Sequence, residues 1–522
     1  MYRPIISLKE GKVRGTSVAG VLGSTYVAFH EIPFAAPPIG QLRFKDPRPP
    51  ASWTGIKNCT VCTKKMCTQA LPDPPYNSIG TEDCLYLNVY TNSIKQSKPV
   101  IFWIHGGKFT VWGSCFAQIR PDYLLAKDVV VVAANYRLGA FGFLNLGHPA
   151  APGNQGLKDL IAALQWVKEN IAKFGGDPNN VTLIGESAGA VLAHALTISP
   201  KTQGLFHKTI LQSGMLTSSW GFGQSRPQRY FKLASVLGIK STDPVEVVEM
   251  LRNISDKDIV GAYSSILTRE EADLFDIPFG VNYDDIADDP VLPFPIEQLH
   301  SNDINIPIMT GYTSNECIMF VDDTEEETIE YCNINLPDLV KIIGQLRKLG
   351  PAEFQELLTA VKNQHFNGQP ITSDKIEIFI RFITYVLFVA PLKLYIKDRL
   401  ERTSTPSYIY RFSYVGTEST IIDVQLKRII NEACHMDDLS YLFYLPICKN
   451  DNPDPPAIGT KDRNILERLT TMWTNFARTG NPTPSYNDFV KVHWKPATKD
   501  NLYCLEIDEE SELTELEVFN FE

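Results

Sequence analysis

The sequence predicts an α/β fold in which helices flank a central, mostly parallel sheet. Apolar strand-like runs alternate with amphipathic helices along the chain, as the crossover connections of a parallel sheet require. Val129–Asn135 has the composition of such a strand, and Leu157–Ile171 places its apolar residues on one face of a helix. Ile465–Phe476 repeats the helical pattern and stops before Gly480, as a capped helix does. The more polar stretch 224–299 is expected to form helices and loops that cap the sheet.

A strand, a sharp turn and a helix form the first element that carries chemistry. Val181–Ile184 is predicted as a buried strand and Ala188–Leu196 as a helix. Gly185 and Gly189 flank the turn because it brings the backbone too close to neighbouring elements for a Cβ atom. The turn exposes the hydroxyl of Ser187 next to a helix N-terminus, where free N–H groups and the helix dipole favour a developing negative charge. Ser187 is therefore a candidate nucleophile.

A serine hydroxyl is a weak nucleophile, so a histidine base and an orienting carboxylate must accompany it. In sheets with this serine turn, the chain order is serine, acid, histidine. Among nine histidines, His435 fits best because it lies in a loop that leads into an aromatic helical run, whereas His194 is better explained as a packed helix residue. Glu316 is the candidate acid, because a polar loop follows a short apolar strand that we expect to end at Gly311. By composition alone, Glu316 would be one acid among sixty.

Several further segments give the chain a resemblance to a known family. It resembles the type B carboxylesterases and cholinesterases, which are α/β-hydrolases, from about the first strand to near the C-terminus. The resemblance implies one α/β-hydrolase domain over residues 1–522 with helical cap insertions, although the length alone would suggest several domains. It assigns the same roles to Ser187, Glu316 and His435, and it implies no cofactor. The matching segments are Phe174–Gly189, Glu82–Val89, Pro37–Phe44, Asn135–Gly139 and Trp473–Pro482.

The oxyanion hole is where the sequence departs from the family. The segment His105–Phe109 reads His-Gly-Gly-Lys-Phe, in the place of the family's His-Gly-Gly-Gly-Phe loop. The resemblance implies that the backbone N–H groups of Gly107, Lys108 and Ala188 bind the oxyanion. Lys108 keeps its N–H group but adds a Cβ atom and a charge. Its side chain either extends to solvent or reaches into the site, and both alternatives are open at this point.

The resemblance also indicates the substrate class. Trp220 matches the position that walls the acyl pocket, and Phe388 is expected to face that pocket, with ordinary core packing as the alternative. The chain is similar to intracellular carboxylesterases of insects, which hydrolyse apolar esters, act in detoxification and are phosphorylated by organophosphates. Juvenile hormone esterases usually carry glutamine before the nucleophile, where this chain has Glu186. We therefore expect small-molecule esters as substrates and organophosphates as inhibitors, and we make no prediction of the oligomeric state.

The cysteines indicate the compartment. The resemblance pairs Cys67 with Cys84 in a disulfide, and the loop between them contains no tryptophan, which disfavours a choline site. A second disulfide is common in secreted family members after the position of Trp220, but no cysteine lies between Cys115 and Cys317. This gap favours a reducing compartment. No further cysteine or histidine cluster at ligand spacing follows the cysteines near residue 60, so we expect no metal.

Bulk properties exclude several classes of partner. The net charge of −11 makes nucleic acid and anionic membrane surfaces unlikely partners. We see no apolar run long enough to span a bilayer and no signal segment, so we expect a cytoplasmic protein. Residues 506–522 are strongly acidic and are expected to form a solvated tail.

The function predicted from the sequence is serine carboxylesterase activity through an acyl-enzyme on Ser187, with slow turnover as one consequence of Lys108. Two alternatives stay open. One is a protein that sequesters xenobiotic esters or organophosphates with little turnover. The other is a non-catalytic interaction protein of the kind found among relatives of cholinesterases, although the intact candidate residues disfavour it.

Overall fold

The computed structural model describes residues 2–70, 78–223, 226–268, 271, 276–299, 305–321, 325–418, 420–421, 423, 429–449 and 453–516. Its strands are β1 (Ile5–Ser7), β2 (Lys12–Arg14), β3 (Thr16–Ala19), β4 (Thr25–Pro33), β5 (Ile56–Asn58), β6 (Gln69–Ala70), β7 (Ser78–Ile79), β8 (Tyr86–Thr91), β9 (Lys98–Ile104), β10 (Val130–Ala134), β11 (Asn145–His148), β12 (Ala151–Pro152), β13 (Gly176–Glu186), β14 (Lys208–Gln212), β15 (Ile308–Thr313), β16 (Ser407–Phe412), β17 (Tyr503–Ile507) and β18 (Glu512–Glu515).

The helices surround the sheet and cap one end of it. They run over Asp122–Leu125, Gly139–Phe143, Gln155–Asn170, Ala188–Ile198, Pro227–Val236, Pro244–Arg252, Asp256–Gly261, Ile296–Leu299, Glu326–Leu346, Pro351–Phe366, Ile376–Thr384, Ala390–Arg402, Leu439–Leu442 and Lys461–Thr479, with a π-helical turn at Tyr385–Val389. Three of them lie within the stretch 224–268, where the sequence predicts capping helices and loops. Lys461–Thr479 ends at Gly480, whose φ of 78° forms the expected left-handed cap.

Eleven strands of the described residues form one sheet in the order β18-β17-β16-β15-β14-β13-β9-β10-β8-β4-β3. The central strands from β10 to β17 pair in parallel, and the strands at both margins are antiparallel. Side chains of β9 alternate between the two faces, with Phe102 in the apolar layer on one side and Trp103 in the layer on the other. This burial on both faces explains the continuous apolar runs of the central strands. The predicted α/β fold is therefore confirmed.

Two local predictions were wrong. Gly311 does not end its strand but lies within β15, where a Cβ atom would collide with the ring of Tyr410. The predicted acidic tail, residues 506–522, instead contains the end of β17 and all of β18; residues 517–522 lie outside the described part of the chain. Ile507 and Leu516 are buried there, while the acidic side chains of Glu512 and Glu515 are exposed on the edge strand β18, as solvent-facing edges favour.

The length and apolar composition of one helical run were not expected from the sequence. Ser373–Arg402 is long and apolar enough to cross a membrane by length and composition, although we expected no such run. In this fold, 83% of its apolar window is buried, as in the core helix of a globular fold. The run packs beneath the site described next and contains the π-helical turn.

Candidate active site

Ser187 lies in a strained turn between β13 and the helix Ala188–Ile198. Its φ of 56° and ψ of −125° are unusual for a residue other than glycine, and such strain is common at reactive serines on strand-to-helix turns. The Ser187 N–H group donates to the carbonyl oxygen of Gln212, 2.9 Å away. A Cβ atom on Gly185 would collide with the carbonyl of Gly189, which confirms the close approach inferred from the sequence. The side chain of Ser187 is partly exposed.

The structure brings His435 and Glu316 together, as the sequence predicted. His435 Nδ1 lies 2.6 Å from Oε2 of Glu316, and both side chains are buried. Oε1 of Glu316 accepts the backbone N–H of Thr313 at 2.8 Å. A hydrogen bond from the Asn315 N–H to the carbonyl of Ala433 joins the loop of Glu316 to the loop of His435. Because Nδ1 donates to the carboxylate, Nε2 is left to accept a proton.

His435 Nε2 faces a second carboxylate. It lies 3.1 Å from Oε1 of Glu186, the residue before Ser187. Within the described residues, the Ser187 hydroxyl makes no hydrogen bond to His435. A long serine–histidine contact is common in substrate-free sites and shortens when substrate is bound. The contact between Glu186 and His435 was not predicted from the sequence, because residue spacing does not determine the orientation of the imidazole ring.

Buried carboxylates dominate the electrostatics of the site. Burial raises the pKa of Glu186 to about 8 and that of Asp438 to about 6. Burial lowers the pKa of His435, but the negative charges of Glu186 and Glu316 outweigh this effect and raise the pKa to about 9. The pKa of His435 therefore lies well above the ordinary imidazole value of about 6.5.

We expect Glu186→Gln to move the acidic limb of the kcat/KM profile to lower pH, by about one unit. Ionised Glu186 stabilises the imidazolium, so its replacement by a neutral amide lets His435 lose its proton at lower pH and lowers the pKa. The measurement is kcat/KM for one ester across the pH range, with Glu169→Gln on an exposed helix end as the control. An unchanged limb would show that Glu186 does not act on the imidazole.

A buried polar network lies behind the histidine loop. Asp438 Oδ2 accepts hydrogen bonds from Gln212 Nε2 at 2.7 Å and from the Tyr410 hydroxyl at 3.1 Å. Trp473 Nε1 donates to Oε1 of the same Gln212. Sequence reasoning missed these residues. The one available signal was Gly311, since its missing side chain makes room for the ring of Tyr410.

The predicted oxyanion loop follows β9 in a left-handed backbone. The φ angles are 98° at Gly107, 54° at Lys108 and 59° at Phe109. In the part of the chain that the structure describes, the N–H groups of Gly107, Lys108 and Ala188 donate no hydrogen bond, so they are free to bind a ligand. The lysine therefore adopts a left-handed backbone angle that glycine favours, at a cost of about 1–3 kcal/mol.

The side chain of Lys108 extends outward. It is exposed, and its Nζ lies 5.7 Å from the centroid of the Phe320 ring. Neighbouring protein atoms partly desolvate the Lys108 ammonium and lower its pKa. Of the two alternatives left open by the sequence, this conformation corresponds to the solvent-facing one.

Aromatic rings connect the predicted acyl wall to the histidine. The ring centroids of Trp220 and Phe388 are 5.5 Å apart, and those of Phe388 and His435 are also 5.5 Å apart. The indole Nε1 of Trp220 donates to the carbonyl of Leu387 at 3.2 Å. Leu387 and Phe388 belong to the π-helical turn Tyr385–Val389, a distortion that is frequent at functional sites.

The family resemblance also implies a disulfide, an ion pair and a serine close to Glu316. Cys67 and Cys84 form the disulfide implied by the resemblance. The resemblance also implies an ion pair between Arg43 and Glu82, and the structure contains it, with Nε and Oε2 2.7 Å apart. The resemblance also implies that Ser213 lies close to Glu316, which stays a prediction; among the described residues the buried Ser213 hydroxyl has no hydrogen-bond partner. No group of three or more potential metal ligands occurs in the described ranges.

Residues 2–520 match the model of the carboxylesterase family. The chain belongs to this family. Among curated carboxylesterase relatives, it is 30% identical over 517 residues to esterase FE4 of Myzus persicae, across 95% of this chain and 87% of that protein. It is 32% identical over 518 residues to the juvenile hormone esterase of Tribolium castaneum, across 93% of this chain and 85% of that protein. The resemblance to insect esterases is confirmed.

A solved structure supports the same assignment. The carboxylesterase is similar to the crystal structure of juvenile hormone esterase from Manduca sexta with OTFP covalently attached, with a TM-score of 0.83 and 28% identity. The match covers 98% of this chain and 97% of that chain. The α/β-hydrolase fold is confirmed, and the protein is a carboxylic ester hydrolase.

Proposed function

We propose that this carboxylesterase hydrolyses apolar esters through an acyl-enzyme on Ser187. The observation that carries the proposal is the 2.6 Å contact of His435 Nδ1 with Glu316, beside a serine in a strained turn. His435 Nε2 takes the serine proton as Oγ attacks the ester carbonyl, and then gives that proton to the departing alcohol. Water then attacks the acyl-enzyme, with the histidine again acting as base and afterwards returning a proton to Ser187.

The oxyanion of each tetrahedral intermediate is assigned to three backbone donors. These are the N–H groups of Gly107, Lys108 and Ala188, which donate no other hydrogen bond within the described residues. Fixed donors of this kind stabilise charge that develops only during the reaction. Ala188 begins the helix Ala188–Ile198, so the helix N-terminus adds to the positive potential.

The apolar surroundings favour apolar acyl groups. We assign the approach to the site to Trp220, Phe388 and Phe320, because Phe388 contacts both Trp220 and His435 and Phe320 lies beside Lys108. A panel of p-nitrophenyl esters of graded acyl length tests this assignment. We expect sustained turnover that increases from acetate to longer acyl chains. A burst of one equivalent without further turnover would instead favour the sequestering alternative.

Lys108 is the specific observation that favours slow turnover. We expect Lys108→Gly to raise kcat/KM for p-nitrophenyl butyrate by up to about 10²-fold, because glycine adopts the left-handed angle without strain and frees the loop to align its N–H donor. Lys108→Met is the matched variant, since it removes the charge but keeps a Cβ atom. A clear fall in both variants would show that the ammonium assists catalysis.

Trp220 is proposed to limit the size of the acyl group. We expect Trp220→Leu to improve hydrolysis of long or branched acyl esters relative to acetate by about tenfold, since a smaller side chain enlarges the pocket. Trp53→Leu is a matched control, because Trp53 is also half-buried and donates its Nε1 to a backbone carbonyl far from the site. An unchanged acyl-length profile would place Trp220 in the packing core.

We also propose a reducing, cytosolic location. Eight of the ten cysteines are free, and Cys67–Cys84 is the exception. Fractionation of cells that produce the full chain tests this location. Recovery in the secretory fraction would contradict it.

A further inference from the structure

Two free cysteines are in contact near the oxyanion loop. Cys62 Sγ lies 3.3 Å from Cys115 Sγ. Cys62 is half-buried and reachable from solvent, whereas Cys115 is only 4% exposed. The other free cysteines are buried, so Cys62 is the one with both solvent access and a neighbouring thiol.

A separate hydrogen bond holds the backbone next to each cysteine. On the side of Cys62, the carboxylate of Glu31 accepts the backbone N–H of Thr63 at 2.7 Å. On the side of Cys115, the N–H of Ser114 donates to Oδ1 of Asn135 at 2.9 Å. The two sulfur atoms therefore face each other across the boundary between the loop 59–70 and the segment after the oxyanion loop.

The contact makes the two thiols chemically different. The hydrogen bond between the two sulfur atoms lowers the pKa of Cys62 to about 6, against the opposing effects of burial and of the Glu31 carboxylate. The same hydrogen bond raises the pKa of Cys115. Cys62 is thus the partly exposed cysteine whose lowered pKa favours the thiolate, the reactive form of cysteine, and Cys115 is its buried neighbour.

We propose that Cys62 and Cys115 form a redox-modification site that exchanges with low-molecular-weight disulfides such as glutathione disulfide. The Cys62 thiolate attacks one sulfur of glutathione disulfide, forms a mixed disulfide and releases one glutathione thiolate. Cys115 then loses its proton and attacks the Cys62 sulfur, which closes the Cys62–Cys115 bond and releases the second glutathione. Two protein thiols are oxidised and one glutathione disulfide is reduced to two glutathione molecules.

Closure needs only a small movement. The sulfur atoms must approach by roughly 1 Å to reach disulfide distance. The two segments are already joined near this point, because the Gln69 side chain accepts the N–H of Trp112 and donates to its carbonyl. The new bond therefore adds a covalent link to an existing contact, and it restrains the unfolded chain. We expect the oxidised protein to unfold at a higher temperature than the reduced protein.

The test is differential alkylation of the full chain equilibrated in glutathione buffers of graded ratio, read by peptide mass spectrometry without prior reduction. We expect Cys62 and Cys115 to become protected together and to appear as one cross-linked peptide, while the control residue Cys59, which is 1% exposed, stays alkylatable after denaturation. Cys115→Ser should trap one glutathione on Cys62. Cys62→Ser should leave Cys115 reduced. The oxidised-minus-reduced difference in unfolding temperature should vanish in both variants.

Three results would overturn the proposal. They are a stable glutathione adduct on wild-type Cys62 beside a reduced Cys115, an unreactive Cys62, or a cross-link of Cys62 to Cys67 or Cys84. None of these readouts uses ester hydrolysis. The outcome is therefore independent of whether Ser187 acts as proposed.

Discussion

Ser187→Ala is expected to lower kcat/KM for ester hydrolysis by about 10⁶-fold, because it removes the atom that forms the acyl-enzyme. The backbone donors of the oxyanion hole stay in place, so weak residual hydrolysis above the rate in water is expected. The measurement is steady-state turnover of p-nitrophenyl butyrate by the folded variant. Ser235→Ala, on the exposed face of the helix Pro227–Val236, is the matched serine control.

Alanine fits the turn at Ser187 in volume, so circular dichroism and thermal unfolding should be close to those of the wild type. A folded Ser187→Ala variant that retained substantial activity would show that a different group attacks the ester. Loss of activity in Ser235→Ala as well would point to a general defect of the preparations.

Glu316→Gln is expected to lower kcat by about 10⁴-fold, because an amide at this position no longer holds the histidine in the productive tautomer. In the structure, Oε2 accepts from His435 Nδ1 while Oε1 accepts from the Thr313 N–H. The glutamine side chain keeps one oxygen as an acceptor. An NH2 group, which donates, replaces the other oxygen. The amide N–H then favours the imidazole form with its proton on Nε2, which cannot act as base toward Ser187.

Two readouts separate this effect from misfolding. The loss should fall on kcat more than on KM, and residual activity should shift to lower pH, because loss of the Glu316 charge lowers the pKa of His435. Glu432→Gln is the control, since this neighbouring carboxylate pairs with Arg381 instead. Near-normal activity of Glu316→Gln would assign the orienting role to another group.

Most of the candidate site could be predicted because its signals are local. The turn at Ser187 needs glycine on both sides, and this requirement is visible in five consecutive residues. His435 and Glu316 are far apart in the chain, but the order of elements in a parallel sheet brings their loops to the same edge. The structure places His435 against Glu316 as expected, while their catalytic roles remain predictions.

The rest depends on tertiary contacts that no local pattern records. The network of Gln212, Asp438 and Tyr410 joins three separate elements, and each of these residues alone is an ordinary polar or aromatic side chain. The approach of Glu186 to His435 depends on the orientation of one imidazole ring. The contact of Cys62 with Cys115 likewise requires two loops to meet, so spacing alone did not reveal it.

Two segments have a composition that does not match their place in the fold. The acidic end of the chain was expected to be solvated, but its first residues complete β17 and Glu512–Glu515 forms β18, with Ile507 and Leu516 buried. Ser373–Arg402 is apolar enough to cross a membrane, yet it is packed inside the fold. In both cases the charge or hydropathy of a segment was less informative than its pattern and its neighbours.

The most direct test of the central claim is the position of a covalent fluorophosphonate adduct, found by peptide mass spectrometry. We expect one adduct per chain on Ser187, forming far more slowly in His435→Ala and absent in Ser187→Ala. An adduct on any other residue, or labelling that persists in Ser187→Ala, would contradict it.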